Sequence, residues 1–159
     1  MQLFSVGGNV FSSDLSIFFV YRVMDMTVFS DQIVFSTKGE IELVDLTGKV
    51  HDVVRRSGIK NGLIHIFAPH ATGVLILTEH EPSLDHDVKD FLEKIIPKNG
   101  GYRHPSNAHS HLRSMLLPPD RTLPIIDGEA VFGTWQSLVF VETDVYPRQR
   151  TIIMQAIGE

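Results

Sequence analysis

The sequence predicts an α+β fold with antiparallel-rich sheets. Segments of alternating apolar and polar residues occupy both ends of the chain, and the helical patterns lie in the middle. This order differs from the regular strand–helix alternation of a doubly wound α/β fold. The 159 residues suit one domain, and the hydrophobic content of 43% and charged content of 21% are those of an ordinary globular protein.

The first elements are two strands and a helix. Residues 27–36 and 39–45 alternate apolar and polar side chains on either side of Lys38-Gly39, which predicts a hairpin. The stretch DLTGKVHDVVRRSG, residues 45–58, predicts a helix because its valines fall on one face. Gly58 supplies a C-terminal stop.

Two more strands and the strongest helical pattern follow. GLIHIFA and GVLILTE read as strands separated by the loop PHAT. PSLDHDVKDFLEKIIP predicts a helix with Ser83 as N-cap and Pro97 at its end. Its predicted buried stripe comprises Leu84, Val88, Phe91, Leu92 and Ile95. A short helix over residues 107–116 comes next, and the predicted final strands are 122–126, 129–132, 136–144 and 151–157.

The domain is predicted to cover residues 26–159, and residues 1–25 read as an N-terminal extension. The apolar run from Leu15 to Val20 is too short to span a bilayer, and no positive charge precedes it as in a signal peptide. We therefore expect no membrane partner. This segment is predicted to be an upstream mis-start or a loosely held extension, and an additional strand is the alternative.

Charge and cysteine content restrict the class of protein further. The net charge is −5 with histidine neutral, and no block of Lys or Arg is present, so nucleic-acid binding is not expected. The chain has no cysteine, which excludes disulfides and thiolate chemistry. This composition is compatible with a reducing cytoplasm, the location that we expect.

Histidines are concentrated in YRHPSNAHSHL, residues 102–112. The helical period places His111 on one face with Ala108, Leu112 and Met115, so His111 is predicted to point inward and His109 elsewhere. His70 lies in the PHAT loop between two strands. Three imidazoles from separate segments suit a zinc site with one open position. Each histidine has an alternative role. His111 could be a hydrogen-bonded core residue, His104 a surface residue and His70 a turn residue.

Carboxylates and arginines could complete such a site. Glu79 and Glu142 each share a strand face with apolar residues, so each either needs a partner or reaches water at a strand end. Arg148 and Arg150 lie on the same side of an extended segment, where guanidinium groups suit phosphate oxygens or an internal salt bridge. Trp135 is predicted to anchor the core.

Five motifs resemble the YjbQ family of uncharacterised conserved proteins, to some members of which a secondary thiamine-phosphate synthase activity is attributed. They are PHATGVLILTEHE, HDVKDFLEKIIPKNGGYRH, NAHSHLRSMLL, LPIIDGEAVFGTWQSLVFVETD and PRQR. The resemblance runs from about Met26 to Glu159. Ala71 and Tyr146 depart from the family pattern, which affects substrate identity more than the presence of a site.

The resemblance implies a β-sandwich-like core of mostly antiparallel strands, flanked by two or three helices, and a homotrimer. It implies a shared pocket around the family's histidines, and by ligand type these histidines suit a divalent metal, zinc or else magnesium. The implied metal ligands are His70, His104 and His111. Implied catalytic residues are Glu79, Glu142 and Asp87, and implied substrate-binding residues are Thr72, Asn107, Thr134, Gln136, Arg148 and Arg150.

Two functions follow from this interpretation. The first is a metal-assisted enzyme of a small phosphorylated metabolite, by resemblance a thiamine-phosphate synthase-like transferase. Diphosphate departure usually relies on magnesium, which prefers carboxylates and water, so a hydrolase or lyase on an all-histidine metal site is also open. The second is a non-catalytic trimer that binds a metabolite or metal. A competent general base would distinguish the enzyme from the binding protein.

Overall fold

The computed structural model describes residues 26–159, so the predicted extension at residues 1–25 lies outside the described residues. Within this range the chain forms eight strands and three helices. The strands are β1 (Thr27–Ser36), β2 (Leu43–Asp45), β3 (Gly62–Phe67), β4 (Gly73–Thr78), β5 (Asp120–Ile126), β6 (Glu129–Ala130), β7 (Ser137–Glu142) and β8 (Gln149–Gly158). The helices are α1 (Thr47–Ser57), α2 (Pro82–Ile95) and α3 (Ala108–Met115).

The strands form two sheets, and every strand pair is antiparallel. One sheet has five strands in the order β1-β8-β3-β5-β6, and the other has three in the order β2-β7-β4. The predicted α+β class, with a sandwich of antiparallel strands and flanking helices, is confirmed.

The main core lies between the two sheets and α1. Its buried side chains come from alternate positions of β3, β5 and β8 on one side and from β4 and β7 on the other, as the two-residue strand period requires. Val50, Val53 and Val54 of α1 are fully buried in it, as predicted. A second cluster, with Val74, Val141 and Leu92, packs the opposite face of the small sheet against α2.

The predicted hairpin around Lys38-Gly39 is wrong. β1 pairs with β8 in the large sheet, whereas β2 pairs with β7 in the small one. The connection between them turns through Gly39 at φ 136° and Ile41 at φ 51°. Both strands alternate because each buries one face, and that pattern does not specify whether they share a sheet.

Helix ends were partly predicted by local chemistry. Gly58 follows α1 with φ 71° and donates its N–H to the Arg55 carbonyl, as expected of a helix stop. Ser83 is not the N-cap of α2. Glu81 occupies that position, and its carboxylate accepts the N–H groups of Ser83 and Leu84, with Pro82 starting the helix.

The buried faces of α2 and α3 differ from the prediction. In α2, Leu92 is buried, but Phe91 and Ile95 are 58% and 47% exposed. In α3 the buried residues include His109 and Arg113, while His111 is half-buried and Met115 is 78% exposed. The helical period identifies faces correctly, but an apolar face is buried within a protomer only if another element covers it.

None of the helices between residues 26 and 159 combines the length and the apolar character that crossing a bilayer requires.

Candidate functional site

Strand register brings one group of predicted residues together at an end of the small sheet. Gly73 at the start of β4 pairs with Glu142 at the end of β7, and β8 begins nearby at Gln149. We call the resulting group of polar side chains the arginine cluster. Its members are His70, Thr72, Glu142, Asp144, Arg148 and Arg150.

Glu142 and Arg150 form a buried ion pair at the centre of this cluster. The Arg150 Nε donates to Glu142 Oε2 at 2.7 Å, and its Nη2 donates to Oε1. Thr37 Oγ1 donates to Oε2 at 2.7 Å, and the Asp144 N–H donates to Oε1 at 2.8 Å. Arg150 Nη2 also donates to the Thr72 carbonyl and hydroxyl, both at 3.0 Å. Both partners are therefore engaged within the fold, which is the internal salt bridge that the sequence left open.

Arg148 sits at the open side of the same cluster. Its Nε donates to Asp144 Oδ2 at 2.9 Å, and its side chain remains 46% exposed. This hydrogen bond raises the pKa of Arg148. Within residues 26–159 its Nη groups make no hydrogen bond, so the guanidinium is held in place while retaining free donors.

His70 is held by the backbone of β8. Its Nε2 lies 2.8 Å from the Thr151 carbonyl oxygen and 3.1 Å from the Thr151 nitrogen, so Nδ1 is left for a ligand or a proton. Its ring meets the Phe140 ring edge-on at 6.2 Å between centroids. Burial and the Arg150 charge lower the pKa of His70 by more than the Thr151 hydrogen bond and the Glu142 charge raise it, which favours the neutral imidazole near pH 7.

His104 and His111 form a second group at the start of α3. Their rings meet edge-on with centroids 5.2 Å apart. They line a mainly apolar cavity of about 380 Å³, which we call the histidine cavity; Tyr102, Arg103, Ala108 and Leu112 complete its walls. Asn107, a predicted substrate-binding residue, contacts His104 in this group. Its Oδ1 lies 3.2 Å from His104 Nε2 and so orients this imidazole.

Hydroxyl groups join the two parts of the site. Thr143, between Glu142 and Asp144, donates from Oγ1 to the Ser110 carbonyl at 3.0 Å. The Ser114 hydroxyl lies 2.8 Å from the same Thr143 Oγ1. These bonds fix α3, and with it the histidine cavity, against the strand that carries the arginine cluster.

Other predicted residues lie at the opposite end of β4 and β7. Thr78 pairs with Ser137 there, five residue steps or about 17 Å from Gly73. Glu79 follows β4 and is exposed. Thr134 is also exposed, and Gln136 closes a turn by accepting the Gly133 N–H at 2.9 Å.

Two further predicted residues are on the surface. Trp135, in the same turn as Gln136, is 73% exposed, so its predicted role as a core anchor is wrong. Asp87 is exposed on α2. Among residues 26–159 of one chain, no three His, Asp or Glu side chains are close enough to hold a metal ion.

Sequence reasoning missed several residues that organise the site. Thr37 holds Glu142, Asp144 holds Arg148, and Thr143 holds α3. Two of these stand in the run Glu-Thr-Asp at the end of β7, where consecutive polar residues interrupt an apolar strand. That interruption was the available signal. The sequence near Thr37 gives no such signal, because Thr37 acts through its contact with Glu142, which lies 105 positions further along the chain.

Comparison with known proteins agrees with this fold. The family model described as UPF0047 protein YjbQ-like matches residues 31–159. A UPF0047 protein of Methanothermobacter thermautotrophicus is 37% identical over 137 residues, which cover 84% of this chain and 95% of the relative. A UPF0047 protein of Archaeoglobus fulgidus is 34% identical, over 79% of this chain and 99% of the relative.

Solved structures give the same result. A YbjQ-like protein of unknown function from Sulfolobus solfataricus P2 superposes with a TM-score of 0.82 at 36% identity, over 85% of this chain and all of the other. An uncharacterised YjbQ/UPF0047 protein of Clostridium acetobutylicum gives 0.76 at 30% identity, over 79% of this chain and 98% of the other. The fold thus places the chain in a class of small α+β sandwich proteins. The chain belongs to the YjbQ-like UPF0047 family.

Proposed function

We propose that this protein acts on a small phosphorylated metabolite by group transfer, in the manner of a thiamine-phosphate synthase. The arginine cluster would receive the diphosphate of one substrate, and the histidine cavity would receive the ring of the other. The observation that carries the proposal is Arg148, which is fixed by Asp144 through Nε and keeps its Nη groups free. A guanidinium held this way is suited to bidentate binding of phosphate.

The second part of the support is the histidine cavity. Its volume of about 380 Å³ and its largely apolar walls suit a small ring, and two imidazoles supply the polar contacts. Hydroxyl bonds from Thr143 hold α3 beside the arginine cluster. The diphosphate of one substrate and the ring of the other would therefore find their contacts in neighbouring parts of the fold.

The transfer requires no general base, and the predicted catalytic carboxylates are not placed to supply one for hydrolysis. Both oxygens of Glu142 already accept hydrogen bonds, Glu79 lies at the opposite end of β4, and Asp87 is exposed on α2. Hydrolysis requires a base that takes a proton from water. In the proposed transfer, diphosphate leaves with the electrons of its C–O bond, and the lone pair of a thiazole nitrogen forms the new C–N bond. No proton is removed in that step.

A divalent metal is part of the proposal, and imidazole ligands indicate zinc in preference to magnesium. His104 and His111 would hold it, because they lie side by side. His70 does not join them in one chain, where no three candidate ligands are grouped within residues 26–159. A third ligand would come from a second copy or from the substrate, and no chemical step is assigned to the metal.

Association of three copies is also proposed. The outer face of the large sheet carries a row of apolar side chains in register across four strands: Val28, Ile157, Leu63 and Pro124. Val28 and Leu63 are 60% and 51% exposed. An uncovered apolar row of this kind is typical of a subunit interface.

The proposal is tested by calorimetric titration with diphosphate, comparing wild type with Arg148→Met. The affinity is expected to fall about tenfold or more, the usual effect of losing charge-assisted hydrogen bonds. Arg55→Met, which removes an exposed arginine of α1, is the matched control. Equal affinity in wild type and Arg148→Met would refute the assignment of the arginine cluster. Zinc analysis of untagged protein beside His111→Ala tests the metal.

A non-catalytic metabolite-binding protein is the alternative. The state of Glu142 supports this alternative. Both of its carboxylate oxygens already accept hydrogen bonds within the fold, so this predicted catalytic residue has no oxygen free to accept a proton. Incubation with a pyrimidine diphosphate and a thiazole phosphate separates the two functions. Release of diphosphate that depends on Arg148 indicates the transferase, whereas binding without release indicates the binding protein.

A further inference from the structure

A second cavity lies on the other side of His104 from the histidine cavity. It has a volume of about 390 Å³, and we call it the polar cavity; its polar wall residues are Lys98, Asn99, Tyr102, His104, Ser106 and His109. Tyr102 and His104 line both cavities. The two spaces therefore adjoin, one mainly apolar and the other mainly polar.

His109 is the unusual residue in this wall. It is only 2% exposed, and its Nε2 has no hydrogen-bond partner among the residues described. Glu40 Oε1 lies 3.2 Å away but not in a position that makes a hydrogen bond. Because buried polar groups in proteins are nearly always paired, an imidazole without a well-directed hydrogen bond in the wall of a cavity is a candidate ligand contact.

The carboxylates near the polar cavity are balanced by basic side chains. Glu40 accepts from Lys98 Nζ at 2.6 Å and from Arg113 Nη1 at 2.7 Å. Arg113 is fully buried and also binds Glu93, so the nearest carboxylates are already neutralised. Lys98 is half-exposed and carries three donors, one of which is used by Glu40.

We propose that the polar cavity is a phosphate subsite for a ligand whose apolar ring lies in the neighbouring histidine cavity. The wall of this cavity contains several hydrogen-bond donors, from Lys98, His109, Asn99 and Ser106. A carboxylate has only two oxygens to accept them, whereas a phosphate monoester has three terminal oxygens and matches them better. This subsite is separate from the arginine cluster. Its assignment to the second phosphorylated substrate of the transfer rests on the proposed function, but the binding itself does not.

The test uses the full chain, free of added metal, and phenyl phosphate as a probe that combines a ring with a phosphate monoester. Titrations are made in the Arg148→Met background, so that phosphate binding at the arginine cluster does not contribute. Lys98→Met and His109→Gln are each expected to weaken phenyl phosphate binding about tenfold or more. Lys94→Met, which removes an exposed lysine near the end of α2, should leave it unchanged.

Three results would overturn the inference. They are no saturable binding in the Arg148→Met background, unchanged affinity in Lys98→Met, and affinity for phenylacetate equal to that for phenyl phosphate. Lys98 is exposed enough that its replacement should leave the fold intact, so it remains informative if His109→Gln unfolds. Because diphosphate binding at Arg148 is measured separately, failure of this subsite is distinguishable from failure of the proposed function.

Discussion

Glu142 and Arg150 are joined through both carboxylate oxygens in a site where Glu142 is fully buried and Arg150 nearly so. They lie at the end of β7 and the start of β8, strands that belong to different sheets. The pair thus fastens the small sheet to the large one at the arginine cluster. Its position makes it a structural support of the candidate site.

Removing one member of this pair is expected to destabilise the protein strongly. Glu142→Gln should lower the free energy of unfolding by about 3–5 kcal/mol, because it leaves the buried Arg150 charge unpaired. Urea unfolding measures the loss. Glu129→Gln, at an exposed ion pair with His51, should change it by less than about 0.5 kcal/mol. In a double-mutant cycle, Glu142→Gln with Arg150→Met should cost less than the sum of the single changes; strict additivity would contradict the pairing.

Asp144 should make stability depend on pH in the acid range. Burial raises the pKa of Asp144, but the Arg148 hydrogen bond and the Tyr146 N–H lower it by more, so the net pKa lies below its ordinary value of 3.8. The stabilisation is therefore present above about pH 4 and is lost as the pH falls through the folded-state pKa. The stability difference between wild type and Asp144→Asn should shrink between pH 6 and pH 2.5. A difference that stays constant with pH would contradict this contribution.

Gly73 is expected to tolerate no side chain. A Cβ at this position would overlap Cζ of Phe140, the ring that packs against His70. Gly73→Ala should therefore destabilise the fold by about 1–3 kcal/mol and perturb His70. The melting temperature and the His70 ring signals in NMR spectra are the measurements. Gly48→Ala in α1, where nothing lies within 4 Å, should be neutral or stabilising by up to about 1 kcal/mol; a Gly73→Ala result like that of Gly48→Ala would refute the contact.

Subunit association should be sensitive to charge on the outer face of the large sheet. Leu63→Asp places a carboxylate in the apolar row beside Ile157 and Pro124. Light scattering after gel filtration is expected to show a trimer for wild type and a monomer for this variant, because an unpaired charge opposes burial. Lys49→Glu on α1 is the control and should leave the mass unchanged. A trimer that survives Leu63→Asp would place the interface elsewhere.

Where local chemistry sufficed, the sequence predicted the structure well. The strand and helix positions followed from periodicity, and Gly58 ended α1 as its freedom at positive φ allows. The sequence motifs also identified the family, and comparison with known proteins confirmed it. The errors arose where a pattern has more than one solution, as in α3, where His109 is buried and His111 is half-buried.

By itself, then, the sequence determined the α+β class, most of the elements and the residue types available for chemistry. Tertiary structure alone decided which of those residues meet. It separated Glu79 and Gln136 from His70 by the length of β4, and it joined Glu142 to Arg150. The physical reason is that periodicity and capping act over a few residues, whereas sheet partners, charge pairs and cavities depend on contacts between distant segments.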